Sequence, residues 1–297
     1  MRFLLLGGTG QVGEELRALG LPNDIQLVSP SRSELDLGDA QSIAKAIAME
    51  QWSAVINAAG YTDVDRAESE EAAAFAINAE APSRLAAETG LRGIPLLHIS
   101  TDYVFDGRKG FPYVEGDDVA PLNVYGRSKL VGERAVCAGN PRHIVLRTSW
   151  LFSPYRKNFV KTILRLAAER ERLTVVDDQR GCPTAARDIA KACRDIAVRC
   201  ASDPGRPRYG VYHFVGQGEA TWFEFAKAIV ELASCRLRRV PQVVPIRTVE
   251  YPTPAVRPAD TRLDCAAIIR EFGIKGQPWR EALEDTINQL LDNRGIP

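Results

Sequence analysis

The run Gly7-Gly8-Thr9-Gly10-Gln11-Val12-Gly13 lies between a short apolar stretch at 2–6 and a segment of helical periodicity at 11–19. Few arrangements accommodate glycine three times at that spacing. Gly7, Gly10 and Gly13 together permit a tight strand-to-helix turn, a close approach of backbone to a pyrophosphate, and close contact between helix and strand. The start of the helix adds unpaired N–H groups and the positive end of the helix dipole, both suited to phosphate. On its own a glycine-rich loop is weak evidence and could be only a turn. Between a buried strand and a helix it points to a dinucleotide.

The rest of the chain fits that beginning. Further strands are expected at 25–28, 54–56, 95–99 and 143–147, and helices at 40–49, about 69–89 and 125–136. Short apolar runs alternating with helical segments call for a Rossmann-type, doubly wound parallel sheet. After Trp150 the rhythm changes. Helices are expected at 158–169, 188–198, 221–232 (capped by Thr221) and 279–291, with strands at 173–176 and 210–215, the latter returning to the main sheet. Residues 240–261 hold five of the eighteen prolines and read as ordered loop. The expected organisation is α/β, with a dinucleotide-binding domain over 1–150 that takes back segments near 187–215. Residues 151–297 form mainly a smaller α/β substrate lobe, interleaved with it.

Composition removes several classes of function. With 38 basic and 38 acidic residues the formal net charge is zero, so nothing electrostatic favours nucleic acid or an acidic membrane surface. No apolar run approaches a membrane span, and the opening apolar stretch is too short for a signal peptide, so a cytoplasmic protein is expected. The six cysteines show no Cys-x-x-Cys pair and no histidine at ligand spacing, which argues for reduced, mostly buried thiols over zinc or disulfides.

Chemistry is suggested by Tyr125 and Lys129, four residues apart and therefore on one helix face. The ammonium can favour phenolate and help the tyrosine trade protons near neutral pH. With eight Tyr and eight Lys in the chain, about 0.2 such pairs arise by chance, so the pair alone carries little weight. The hydroxyl-bearing Ser100-Thr101 at a strand end supplies a second group for a substrate oxygen. The second strand ends Val28-Ser29-Pro30-Ser31-Arg32, without the acid that usually holds the ribose hydroxyls of NAD. Arg32 nearby leaves room for a 2′-phosphate and tilts the cofactor towards NADPH over NADH, although it could equally be a solvated loop charge. Asp36 is a candidate to bond the adenine, and the small residues Asn57-Ala58-Ala59-Gly60 let a cofactor lie against them.

Together these elements resemble the extended short-chain dehydrogenase/reductase family. The likeness is closest to its nucleotide-sugar ketone reductases, through Asn57-Ala58-Ala59-Gly60-Tyr61-Thr62-Asp63-Val64-Asp65, Ser100-Thr101-Asp102-Tyr103-Val104-Phe105, Val124-Tyr125-Gly126 and Arg147-Thr148-Ser149-Trp150. Asp178-Gln179, Gly181-Cys182-Pro183-Thr184 and the stretch from Arg257 to Leu263 extend it nearly end to end. The resemblance implies that Tyr125 donates the proton, Lys129 is its electrostatic partner and holds the nicotinamide ribose, and Thr101 polarises the C4 ketone of a nucleotide sugar. It places Gly10, Gln11, Val12, Asp36, Leu37, Gly60, Tyr61 and Thr62 at the cofactor, and the expected cofactor set also holds Gly7, Gly13, Arg32 and Ala59 from the residues themselves, with Tyr125 and Lys129 shared with the catalytic set. Val64, Thr101, Asp102, Tyr103, Tyr125 and Trp150 fall on the substrate side, although Trp150 read alone would suit a core position at a strand end.

Two departures stand out. Asp260-Thr261 replaces the family's Asn-Ser before Arg262-Leu263, leaving that loop's contacts open. Relatives that bind magnesium do so between subunits through acidic residues; Glu15 matches one such position, but Arg187 occupies another, so a metal is optional. Oligomeric state is open, a homodimer included. A dehydratase of this fold needs Asp-Glu after the threonine, whereas here Asp102 is followed by Tyr103. An epimerase fits poorly with Trp150. A non-catalytic NADP-binding module, like the regulatory subunit of methionine adenosyltransferase, has no need of the set Thr101, Tyr125 and Lys129.

Overall fold

Along β1 (Arg2–Leu6) the side chains alternate, Phe3 and Leu5 entering one core and Leu4 and Leu6 another. A strand buried on both faces belongs inside a parallel sheet with helices on each side. The structure, a computed structural model, describes residues 1–22, 24–203, 205 and 207–292. After the glycine loop come α1 (Gln11–Leu19), β2 (Gln26–Val28), α2 (Ala40–Ala48) and β3 (Ala54–Asn57). Next are α3 (Val64–Ala67), α4 (Glu71–Phe75) and α5 (Ala81–Leu91), then β4 (Leu96–Thr101), α6 (Val124–Gly139) and β5 (His143–Thr148). Beyond β5 lie β6 (Leu151–Phe152), α7 (Phe159–Glu169), β7 (Arg172–Val176), β8 (Arg180–Gly181), β9 (Thr184–Ala185) and α8 (Ala186–Ser202). The chain ends with β10 (Gly210–His213), β11 (Ala220–Thr221), α9 (Trp222–Ala233), β12 (Gln242–Ile246), α10 (Ala266–Phe272) and α11 (Trp279–Asp292).

Six strands form one sheet in the order β10-β5-β4-β3-β1-β2, every neighbouring pair parallel. The order reverses between β1 and β3, which opens a crevice beyond the carboxyl ends of the strands. On one face α1, α8 and α10 bury Leu16, Ile189, Ile196 and Ile268 against Phe3, Ile56 and Leu146. On the other, α2, α5 and α6 bury Ile43, Leu85 and Val136 against Leu4, Val55 and Val145. The strand expected at 210–215 does join this sheet, beside β5.

A separate core lies among α7, α9 and α11, where Phe152, Ile163, Phe225, Ile229, Trp279 and Leu283 meet. Helix α9 begins with a full capping box: Thr221 Oγ1 accepts from Glu224 N at 3.1 Å and Glu224 Oε2 accepts from Thr221 N at 2.8 Å. Two sequence expectations need correcting. The helix expected at about 69–89 is instead α4 and α5 joined by a wider π-type turn over Ala76–Glu80. The proline-rich stretch 240–261 contains a strand, β12, paired in parallel with β7. Pro245 is tolerated there because a two-stranded sheet consists only of edges.

Candidate active site

The crevice at the strand ends is a cavity of about 720 Å³, lined from both cores. Its floor begins with the glycine loop. Gly7 has φ +78°, and a Cβ there would meet the Ala58 carbonyl carbon at 2.6 Å; a Cβ on Gly13 would meet the Gly7 carbonyl oxygen at 2.3 Å. Side chains at either position would push apart the loop, β3 and α1. Gly10 caps α1 without any side-chain bond, so the first-turn N–H groups point towards the cavity unpaired by a cap.

Two buried asparagines hold the next stretch of wall. Asn57 Oδ1 accepts from Ala59 N at 3.2 Å, while its Nδ2 meets His98 Nδ1 at 3.1 Å. Asn78, inside the π-type turn, accepts from Tyr61 N at 2.8 Å and donates from Nδ2 to Tyr61 O and to Ser128 Oγ, each at 3.0 Å. One side chain thus fixes the 59–62 loop to α6. Neither His98 nor Asn78 stood out in the sequence: a lone polar residue in an Ala- and Glu-rich helix gives no sign that the helix widens around it.

Helix α6 carries Tyr125 and Lys129. Asn123 caps it, accepting from Gly126 N at 2.8 Å, so Tyr125 lies in the first turn at the cavity wall. Lys129 Nζ donates to the Ile99 carbonyl at 2.6 Å. Burial pushes the Lys129 ammonium down to about 8, with Glu133 opposing. Burial pushes the Tyr125 phenol up to about 12, eased by a hydrogen bond with Thr101 and reinforced by Asp102. Here, then, burial dominates the phenol rather than the lysine, and the tyrosine is held in its protonated form. Thr101 Oγ1 donates to Asp102 Oδ1 at 3.0 Å and accepts from Tyr103 N at 3.2 Å. Burial raises the Asp102 carboxyl to about 7, against the pull of the Thr261 and Thr101 hydroxyls. Ser100 Oγ, Asp102 Oδ2 and Thr148 Oγ1 are buried without a hydrogen-bond partner, all three on residues that line the cavity. Polar atoms left so are suited to a ligand.

The far wall is aromatic. Trp150 has φ 48° and stacks on Trp222 of α9, with ring centroids 3.6 Å apart and planes within 5°. Gly181 lies directly against the Trp150 indole, where a Cβ would come within 2.5 Å of Cε2. Tyr103 meets Tyr125 edge-on at 5.8 Å. Trp222 is a site residue the sequence reading missed, since a tryptophan opening an amphipathic helix reads as core.

Among the residues expected from the sequence, Gly7, Gly10, Gln11, Val12, Ala59, Gly60, Thr62, Val64, Thr101, Asp102, Tyr103, Tyr125, Lys129 and Trp150 line this one cavity. Gly13, Arg32, Asp36, Leu37 and Tyr61 do not form its wall. Gly13 works through packing. The Tyr61 hydroxyl donates to Glu70 at 2.8 Å, away from the cavity. Arg32 is exposed beyond β2 with Nε 3.9 Å from Asp36 Oδ1, and Leu37 packs on the α2 core. The Asp260-Thr261 departure reaches the site: Thr261 is buried beside Asp102, while Asp260 pairs with Arg262 at 2.7 Å. Glu15 is buried beside Arg187, Asp188 and Lys191, and burial raises its carboxyl despite the two cations. Asp188 is already committed, accepting from Gln277 N at 3.0 Å and Lys191 Nζ at 3.4 Å. Two neighbouring cations and a spent carboxylate do not suit a divalent ion at Glu15.

The family model for the RmlD substrate binding domain matches residues 1–292. The chain belongs to this family, that of the dTDP-4-dehydrorhamnose reductases. Relatives bearing that name include one from Sinorhizobium fredii, 43% identical over 291 residues and covering 98% of both chains. Another, from Escherichia coli, is 37% identical over 308 residues and covers 100% of both. Among solved structures, a dTDP-4-dehydrorhamnose reductase from Clostridium acetobutylicum superposes with a TM-score of 0.90 at 33% identity, covering 98% of this chain and 99% of the other. One from Bacillus anthracis, in complex with NADP, gives a TM-score of 0.89 at 33% identity and covers 97% and 99%. A dTDP-glucose 4,6-dehydratase from Streptomyces venezuelae, at 21% identity and TM-score 0.77, shares the fold alone.

Proposed function

We propose that the protein reduces the C4 ketone of dTDP-4-dehydro-β-L-rhamnose to give dTDP-L-rhamnose, using NADPH. The observation that carries this reading is that the glycine loop, Tyr125, Lys129, Thr101 and Trp150 all face one cavity. The uncapped start of α1 and the Gly7 and Gly13 contacts suit a dinucleotide pyrophosphate, and the unpartnered Ser100 and Thr148 hydroxyls suit the nicotinamide end. Bound there, the reduced nicotinamide supplies the hydride that reaches C4. Arg32, solvent-exposed at the end of β2, remains the candidate for the 2′-phosphate.

The chain's own groups deal with the oxygen. A reduction needs an acid, and a phenol raised to about 12 stays protonated until charge develops on the ketone oxygen. Tyr125 then gives up its proton, and Lys129 stabilises the phenolate left behind. Thr101 now donates to Asp102. An Asp102 carboxyl near 7 is partly protonated at neutral pH, and in that form it can donate to Thr101 and free the threonine proton for the ketone. Trp150 and Trp222 supply a flat apolar wall for the sugar. Tyr103 stands where a dehydratase would need a carboxylate, which leaves no base for C5.

The test is turnover of purified protein with NADPH and dTDP-4-dehydro-β-L-rhamnose, with the sugar product identified. Stoichiometric oxidation with dTDP-L-rhamnose formed is expected. Tight NADPH binding without oxidation would overturn the reading in favour of a binding module. No helix among the described residues is long and apolar enough to cross a membrane.

A further inference from the structure

Arg156 is the second residue among those described, besides Trp150, that holds a positive φ without being glycine, at 54°. It lies on the loop between β6 and α7, in the half of the chain that builds the second core. An L residue adopts that backbone at a cost, and such costs gather at functional sites. The loop is tied across the cavity mouth to the glycine loop. Arg156 Nε donates to the Thr9 carbonyl, while Gln11 Oε1 accepts from Ser153 Oγ at 2.9 Å and Asn158 Nδ2 at 3.0 Å. The strained conformation therefore delivers a guanidinium to the glycine loop.

The charges make that placement meaningful. Residues 7–13 contain no cation, so the loop offers only N–H dipoles to a group bearing two negative charges. The cationic side chains lining the cavity are Lys129, Arg156 and Lys157. Lys129 is buried and donates to the Ile99 carbonyl. Of the two that remain, Arg156 alone is bonded to the glycine loop, and its planar fork matches phosphate oxygens.

We propose that Arg156 is a diphosphate-binding residue of this site, pairing with the pyrophosphate of the dinucleotide across the glycine loop. The proposal rests on the reading of the cavity as a nicotinamide dinucleotide site. A nucleotide sugar also brings a diphosphate, and the contact with Thr9 favours the dinucleotide's. In this arrangement the second lobe contributes a charge to the cofactor, and the dinucleotide adds to the bonds that already tie the 153–158 loop to the glycine loop.

The test measures affinities of NADP+, NAD+ and dTDP for wild type, Arg156→Gly and Arg156→Lys by calorimetry, beside thermal melts. Glycine suits φ 54°, so Arg156→Gly should melt no lower than wild type. It should weaken NADP+ and NAD+ by the same factor, about tenfold, as expected for losing a charged hydrogen-bond partner. dTDP should stay within about twofold of wild type, and Arg156→Lys, keeping charge but not the fork, should fall between. Unchanged affinities would overturn the proposal. So would a loss confined to NADP+, which would mark a 2′-phosphate contact, or one confined to dTDP, which would assign Arg156 to the substrate. Should Arg156→Gly prove unstable, Arg156→Lys decides by the same comparison. Wild type that binds neither dinucleotide would refute the underlying site reading, and the arginine's role with it.

Discussion

Tyr125 is half-buried at the cavity wall and Asp102 is buried, and desolvation sends both upward with different consequences. For Tyr125 a value near 12 preserves the proton that reduction requires. Tyr125→Phe should lower kcat by about two to four orders of magnitude while leaving NADPH affinity nearly unchanged; near-normal turnover would remove the residue from the acid role. For Asp102 the native value of about 7 lies above the ordinary 3.8. Between those values the folded protein holds a proton that the unfolded chain has released, so this group costs stability as pH rises through that window and no further above it. Asp102→Asn removes the cost. In thermal melts from pH 5 to 8, the variant's advantage over wild type should widen up to about pH 7 and then level off. The widening is on the order of 2 kcal/mol, or several degrees; a constant difference across pH would contradict a buried, proton-holding Asp102.

Elements were legible where their side chains follow a simple period. The buried runs of β1, β3, β4 and β5 and the capped helix α9 are marked by apolar spacing and by Thr221. The π-type turn was not, because one extra residue per turn leaves an Ala-rich helix looking the same in sequence. The turn lies close against α6: a Cβ on Gly132 would lie 2.0 Å from the Asn78 carbonyl oxygen. Gly132→Ala should therefore force the helices apart and cost about 2–3 kcal/mol; a melting temperature equal to wild type would show that α6 and the turn do not depend on this close approach. The strand β12 was hidden by Pro245 within it and by the prolines on either side. Gly181 in β8 bears on function instead. Gly181→Ala must displace the Trp150 indole, so KM for the sugar nucleotide should rise severalfold while dinucleotide affinity holds. Equal losses in both would mean that Trp150 and Gly181 serve the fold rather than the substrate wall.

Across the whole molecule, two cores share one cavity, and most of the residues singled out in the sequence line it. They were legible because each sits at a strand end or helix start whose position the alternating pattern fixes. Trp222, Thr261 and Arg156 were not, because each comes from the second lobe and reaches the site only through tertiary packing that no local period records. Arg32 and Asp36 remain at the exposed edge beyond β2, and their contacts depend on where a dinucleotide's adenosine lies. The proposed reaction passes hydride from the nicotinamide to C4 of the sugar in this cavity while Tyr125 protonates the oxygen. The most direct measurement supplies NADPH deuterated on the transferring face of C4, with dTDP-4-dehydro-β-L-rhamnose, and locates the label in the product by NMR. One deuterium at C4 of dTDP-L-rhamnose is expected for each NADPH consumed. Consumption of NADPH with the label elsewhere, or no transfer from protein that binds both ligands, would contradict it.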